Sequence, residues 1–203
     1  MVLVEPLVHV VDDDEAIGHS VVFQLGTAGH KARRYASAET FLEALPDAGP
    51  GCVITDVRMP GMNGLDLVHH LNALGFKGPI IMMTGHGDIP LAVEAMKAGV
   101  VDFIEKPLDD KILLQAVASA LSLSATPEQD DASRREREAR FGTLTARERD
   151  VLAGVIAGKP NKITAYDLGI STRTVEAHRA GVMAKTAASN LSELIRMALS
   201  LGF

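Results

Sequence analysis

Along the first 120 or so positions the apolar residues fall into two alternating rhythms. Short runs rich in branched residues at 8–11, 31–35, 52–55, 80–83 and 100–104 read as strands. Between them the apolar positions recur every three or four residues, at 17–29, from Ala38, at 64–74, at 89–98 and from Asp109 to about Leu121, which is the spacing of helices. Val21, Phe23 and Leu25 are among the apolar positions of the first helix. Strands of this kind, separated by segments long enough for a helical crossover, predict βαβ units and a mostly parallel sheet covered on both faces.

The rhythm changes after that. Residues 122–142 carry little apolar content, a break at Pro127 and mixed charge up to Arg140, so a linker is the default reading. Its RREREAR stretch is rich in helix formers and is equally able to be a solvent-exposed helix. From Leu144 the period is helical throughout. Thr145 with Glu148 three positions on forms a capping box, and Val151, Leu152, Val155 and Ile156 give that helix its buried stripe. Gly158 and Pro160 end it, a short helix covers 162–168, Ser171 or Thr172 caps the next, which runs toward Lys185, and a last one begins near Ser192. Four short helices with a tight turn at Leu168-Gly169-Ile170 between the middle two make a helix-turn-helix arrangement.

Composition divides the chain in the same place. The overall charge of −6 hides 8 Lys or Arg against 16 Asp or Glu in residues 1–123, and 8 against 5 in residues 144–203. An acidic half and a mildly basic half imply different partners. Charged residues at 23% and hydrophobic residues at 47% exclude wholesale disorder. The opening MVLVEPLVHVVDDD is the pattern of neither a signal peptide nor a membrane anchor, and the expected location is the cytoplasm. Cys52, the single cysteine, reads as a small buried hydrophobe. His69, His70 and His86 have no Cys or His at ligand spacing around them and read as surface or loop residues.

In a parallel α/β fold, ligands bind at the carboxyl ends of the strands. Asp12 and Asp13 end the first strand, Asp56 the third and Thr84 the fourth, and Lys106 lies just past the fifth. Carboxylates gathered at one edge repel unless a cation intervenes, and their oxygens suit Mg²⁺ or Mn²⁺. Lys106 can pair with a phosphoryl group as a point charge, and the Thr84 hydroxyl can donate to another of its oxygens. The chemistry supported is in-line attack of a carboxylate on an activated phosphoryl donor. For a single aspartate a solvated acidic turn is the plainer reading; the full set argues against it.

The segments VHVVDDDE, TDVRMPGMNGLDL and MMTGHGDIPLAVEAMKAGVVDFIEKP carry a specific likeness. Across residues 6–121 the chain resembles the receiver domain of bacterial two-component response regulators, in detail the FixJ branch. The resemblance implies a five-stranded, doubly wound, flavodoxin-like sheet of order 2-1-3-4-5. It implies Asp56 as phosphoacceptor, and Asp12, Asp13 and Asp56 with the Arg58 backbone carbonyl around a metal. Lys106 becomes the phosphate-contacting lysine, with a cis peptide before Pro107. Thr84 and Phe103 become the switch pair, Phe standing where many receivers have tyrosine. A phosphatase of the haloacid-dehalogenase type also uses an aspartate nucleophile, but it needs a second Asp two residues later, where this chain has Arg58.

The segment from LTARERDVL to NLSELIRMA resembles the DNA-binding domain of the LuxR family. Helical spacing alone turns Val175 and Val182 inward and Arg173, Glu176, Arg179 and Lys185 outward, flanked by Thr174 and His178. The likeness implies that Arg173, Glu176 and Ala177 face bases, and that Lys162, Thr172, Thr174, His178, Arg179 and Lys185 mainly touch the DNA backbone. It also makes Glu148 a brace and Leu152, Ile163, Leu168, Val175 and Val182 the core. Gly181 and Thr164 depart from the family pattern. The expected organisation is a receiver over 1–121, a charged and helix-capable linker over 122–142, and a four-helix DNA-binding domain over 143–203. The expected function is a transcription regulator rather than an enzyme, phosphorylated on Asp56 by a partner histidine kinase. Its further partners would be double-stranded promoter DNA, RNA polymerase and a second copy of itself. Val93, Met96, Lys97 and residues of the fifth helix are the candidate dimer face. A phosphate-independent DNA-binding protein would lack the acceptor, the metal pair or the lysine, and all are present.

Overall fold

The computed structural model describes residues 6–49, 51–85, 89–123 and 130–203, so His86 and Pro127 lie outside the described residues. The first strands and helices are β1 (Leu7–Val11), α1 (Glu15–Thr27), β2 (Ala32–Tyr35), α2 (Ala38–Ala48), β3 (Gly51–Asp56) and α3 (Gly64–Ala73). They are followed by β4 (Ile80–Thr84), α4 (Ile89–Lys97), β5 (Asp102–Glu105) and α5 (Asp110–Leu123). The five strands are all parallel and lie in the order β2-β1-β3-β4-β5. Register sets the carboxyl edge: Val11 pairs with Thr55, Asp56 with Met83 and Thr84 with Glu105, so the strand ends that carry acidic and hydroxyl groups finish level.

Alternation along the strands builds the core. Val8 and Val10, Cys52 and Ile54, and Ile81 and Met83 point to one face, where Val21 and Leu25 of α1 and Leu113, Ala116 and Val117 of α5 cover them. Phe41 of α2 and Leu67, Val68 and Leu71 of α3 are buried as well. Phe23, predicted as one of the apolar positions of α1, is 73% exposed and takes no part in this core. His9 lies in the sheet, fully buried against the rings of Tyr35 and Phe41. The Cys52 thiol is buried, and burial pushes it up to about 12, which leaves it an inert packing group.

Contacts divide the chain into two compact units, Met1–Gly87 with Ala98–Thr126, and Asp88–Lys97 with Pro127–Phe203. The second contains α6 (Asp130–Gly142), α7 (Ala146–Ile156), α8 (Asn161–Leu168), α9 (Thr172–Thr186) and α10 (Leu191–Ser200). The RREREAR stretch is thus helical. Phe141, near the end of α6, is not linker: it is buried with Leu144, Leu152, Val182 and Leu194, and its ring meets that of Phe203. A second cluster joins Val151, Ala165 and Val175, with Leu168 and Ile170 packed against it. Ile163, expected in this core, is instead 47% exposed, because the inward face of α8 is given by Thr164 and Ala165. The turn from α8 to α9 needs Gly169, whose φ of 65° is left-handed and costs a glycine nothing sterically. Among the described residues, no helix is long and apolar enough to cross a membrane.

Candidate functional site

Three carboxylates converge where β1 and β3 end. Asp12, Asp13 and Asp56 each offer an oxygen, and these atoms lie within 4.8 Å of one another. Asp12 and Asp56 are buried and Asp13 is exposed, so the cluster opens to solvent on one side. The Lys106 ammonium enters from beyond β5 and donates to Asp56 Oδ2 at 2.8 Å and to Asp12 Oδ2 at 3.0 Å. Burial alone would lower the Lys106 pKa, but the hydrogen bonds and charges of Asp56 and Asp12 outweigh it, and its pKa sits above that of an ordinary lysine. Burial raises the pKa of Asp12, opposed by Lys106 and by the Asp14 amide. The donor set is all oxygen, so the cluster can hold a hard divalent cation.

Local folding fixes each participant. Asp14 does not join the cluster: its carboxylate caps α1 by accepting from the Ala16 and Ile17 amides, while its own amide donates to Asp12 Oδ1 at 2.8 Å. Gly64 lets the start of α3 approach the end of β3, because a Cβ there would lie 2.1 Å from the Asp56 carbonyl oxygen. The Lys106 amide donates to the Thr84 carbonyl at 2.7 Å, and the Lys106–Pro107 peptide is cis, as the resemblance implied. Thr84 is buried and Phe103 half-buried, paired in register with Met82 on β4, and Arg58 is exposed just after β3. A cleft of about 590 Å³ opens at the amino ends of the strands, near Pro46, Phe76, Pro79 and Leu121. It is mainly apolar and on the edge opposite the carboxylates.

In the helical unit, α9 presents Thr172, Arg173, Glu176 and Ala177 to solvent, while Val175 and Val182 are buried as predicted. Ser171, rather than Thr172, is the cap: its hydroxyl accepts from the Thr174 amide and meets the Thr174 hydroxyl at 2.8 Å. His178 and Arg179 are half-buried, and Arg179 donates to Asn161 at 2.9 Å, which links the start of α8 to the middle of α9. Lys162 is exposed on α8. Lys185 is already engaged, its ammonium 2.7 Å from Glu148 Oε2.

Family models match twice, a response regulator receiver domain over residues 8–118 and the luxR family of bacterial regulatory proteins over residues 142–198. The chain is 50% identical over 198 residues, 97% of its own length and 96% of the relative's, to the transcriptional regulatory protein FixJ of Rhizobium meliloti (strain 1021). It is 45% identical to FixJ of Bradyrhizobium diazoefficiens over 96% of the chain and 95% of that protein. Among solved structures, full-length FixJ from B. japonicum is 44% identical with a TM-score of 0.59, covering 98% of both chains. The chain belongs to the FixJ branch of two-component response regulators. It is accordingly a phosphorylation-regulated transcription regulator, with a kinase and DNA as partners.

Two departures of this regulator from the family pattern have structural reasons. Gly181 leaves room for Glu148, whose Oε1 would lie 2.7 Å from a Cβ at that position. Thr164 is buried against Gly154, where a Cβ would lie 2.8 Å from both its Oγ1 and its Cγ2, so α7 and α8 approach closely at that pair. The sequence reading missed Arg34 altogether. Its guanidinium crosses α1 and donates to the Asp12 backbone carbonyl at 3.1 Å. No motif marks it; the only signal was an unexplained glycine, Gly18, inside an otherwise ordinary helix.

Proposed function

We propose that Asp56 is the phosphoacceptor of this regulator. What supports the reading most is one arrangement: three carboxylates within 4.8 Å, with the Lys106 ammonium between Asp12 and Asp56. An oxygen of Asp56 attacks the phosphorus of an activated donor; the new P–O bond forms as the donor's bond to phosphorus breaks, and the leaving group departs with that electron pair. Mg²⁺, or Mn²⁺ in its place, supplies charge neutralisation when bound, held by Asp12, Asp13, Asp56 and the Arg58 carbonyl. Lys106 gives up a carboxylate partner for a phosphoryl oxygen, and the Thr84 hydroxyl donates to another. The phosphoryl transfer is stoichiometric, with slow self-dephosphorylation in place of turnover.

Thr84 moving toward the phosphoryl group leaves space that Phe103 fills, which biases the neighbouring face between two states. Val93 and Met96 are buried, and Lys97 is exposed. Pairing of two copies through this face and α5 is the step that phosphorylation promotes. In the dimer, Arg173, Glu176 and Ala177 read base edges, while Lys162, Thr172, Thr174, His178 and Arg179 contact the backbone. Lys185 does so by exchanging Glu148 for a phosphate. The protein works in the cytoplasm, and RNA polymerase is the further partner that it meets at a promoter.

The test compares wild type with Asp56→Asn, each given acetyl phosphate and Mg²⁺, by light scattering and by binding to promoter DNA. Wild type dimerises and binds more tightly and the variant does not respond. Identical dimerisation and affinity for the two would overturn the proposal.

A further inference from the structure

Asp12 is held at every polar atom it has. Its amide donates to the Tyr35 carbonyl at 3.1 Å, Oδ1 accepts from the Asp14 amide at 2.8 Å and Oδ2 from Lys106 at 3.0 Å. The remaining atom, the backbone carbonyl, lies past the last β1–β2 register pair, Val11 with Tyr35, where the sheet offers it no further amide from β2. Arg34 fills that role from its side chain, with Nη2 at 3.1 Å. Arg34 pairs in register with Val10, two residues before the carbonyl it holds, so the side chain must run along the strand direction beneath α1 to reach it.

That path exists because residue 18 is glycine. A Cβ at Gly18 would lie 2.5 Å from Arg34 Nε and 2.7 Å from its Cδ, closer than side chains approach. Nε itself is buried with no hydrogen-bond partner. Leaving a guanidinium N–H dry carries a desolvation cost, and the arrangement persists because the side chain is confined between α1 and β2. The arginine is thus anchored by shape, and one hydrogen bond connects it to the strand end that carries Asp12 and Asp13.

We propose that Arg34, threaded past Gly18 onto the Asp12 carbonyl, is a positioning residue that sets the affinity of the acidic cluster for a divalent cation. This rests on the reading of Asp12, Asp13 and Asp56 as a metal site. The Asp12 carboxylate and its neighbour Asp13 leave the sheet at the residue whose carbonyl Arg34 pins. Removing the pin lets the strand end move, so the carboxylates lose alignment without losing any donor. Outer partners of metal ligands contribute about tenfold or more to affinity when they act this way.

Intact protein is titrated with Mg²⁺ by calorimetry, and the Mg²⁺ dependence of phosphorylation by acetyl phosphate is followed in parallel. Arg34→Met keeps the length and removes the donor; Gly18→Ala keeps the arginine and blocks its path; Arg34→Lys restores a cationic donor. Both Arg34→Met and Gly18→Ala are expected to raise the Mg²⁺ Kd by about tenfold and to raise half-saturating Mg²⁺ for phosphorylation in step. The loss is recovered at saturating Mg²⁺, since no ligand is removed, and Arg34→Lys lies between. A Kd unchanged in either variant, with far-UV circular dichroism showing it folded, overturns the proposal, and one folded variant of the pair is sufficient to decide. Wild-type protein that binds no Mg²⁺ overturns the metal reading, and the proposal with it; normal wild-type binding beside unchanged variants overturns the role of Arg34 alone.

Discussion

Gly64→Ala sets two effects of opposite sign against each other beside Asp56, the proposed phosphoacceptor. Alanine is the better helix former, and at the start of α3 it would contribute about 0.5–1 kcal/mol relative to glycine. Its Cβ, however, would lie 2.1 Å from the Asp56 carbonyl oxygen and 3.1 Å from the Val57 Cα. An ordinary C···O contact is about 3.3 Å, so α3 or the end of β3 must give by roughly 1 Å. Both are backbone, and neither can rotate away. Overpacking costs about 1–3 kcal/mol, and a clash between backbones falls in the upper part of that range, so the clash wins, with a net loss of about 1–2.5 kcal/mol. That corresponds to a thermal midpoint of the receiver unit lower by about 4–8 °C for each kcal/mol lost. A displacement near 1 Å at reacting atoms also slows chemistry by about a hundredfold, read as the rate of Asp56 phosphorylation from acetyl phosphate at saturating Mg²⁺. Gly26→Ala in α1 is the control, since a Cβ there meets nothing within 4 Å, leaving only the helix gain of about 0.5–1 kcal/mol. Gly64→Ala protein that melts and phosphorylates like wild type, or Gly26→Ala protein that is as damaged, would exclude the clash as the cause.

Two further outcomes concern the helical unit. Leu152 is buried and Ile163 is 47% exposed, so Leu152→Ala should destabilise this unit by about 2–5 kcal/mol and Ile163→Ala by under about 1 kcal/mol; equal losses in chemical denaturation would restore Ile163 to the core. Lys185 and the Thr145 amide hold Glu148 down at about 2, below its ordinary value of 4.5. A carboxylate lowered in the folded state stabilises it above the unfolded pKa and stops doing so as pH falls through the folded one. The thermal midpoint of the helical unit should therefore drop between about pH 5 and pH 2 in wild type. Glu148→Gln should flatten that component, and an unchanged slope would show that the pair with Lys185 contributes no linkage.

The receiver pocket was legible in sequence because its parts sit at strand ends. Parallel topology carries residues 12, 13, 56, 84 and 106 to one edge regardless of the loops between them, and each is a residue type with obvious chemistry. Helix boundaries that rest on local signals were legible too: the Thr145–Glu148 capping box forms, and Gly169 turns left-handed between α8 and α9. Less visible were facts that depend on which neighbour covers which face. Phe23 and Ile163 have the hydropathy of core residues and the exposure of surface ones, since a helix buries only the face that meets another element. Phe141 went the other way, out of an apparently polar linker and into the core of the helical unit.

The order of the elements, the sheet class, the acidic pocket and the helix-turn-helix were therefore set by the sequence, because these depend on periodicity and on residue chemistry at strand and helix ends. Tertiary structure alone decided how backbones approach. The contact of α3 with Asp56 at Gly64, the space at Gly181 taken by Glu148, and the passage of Arg34 past Gly18 to Asp12 are all matters of about an ångström or less between groups that no local pattern marks as neighbours. A glycine records such a contact only as a missing side chain, and its letter does not say which atom stands in the space.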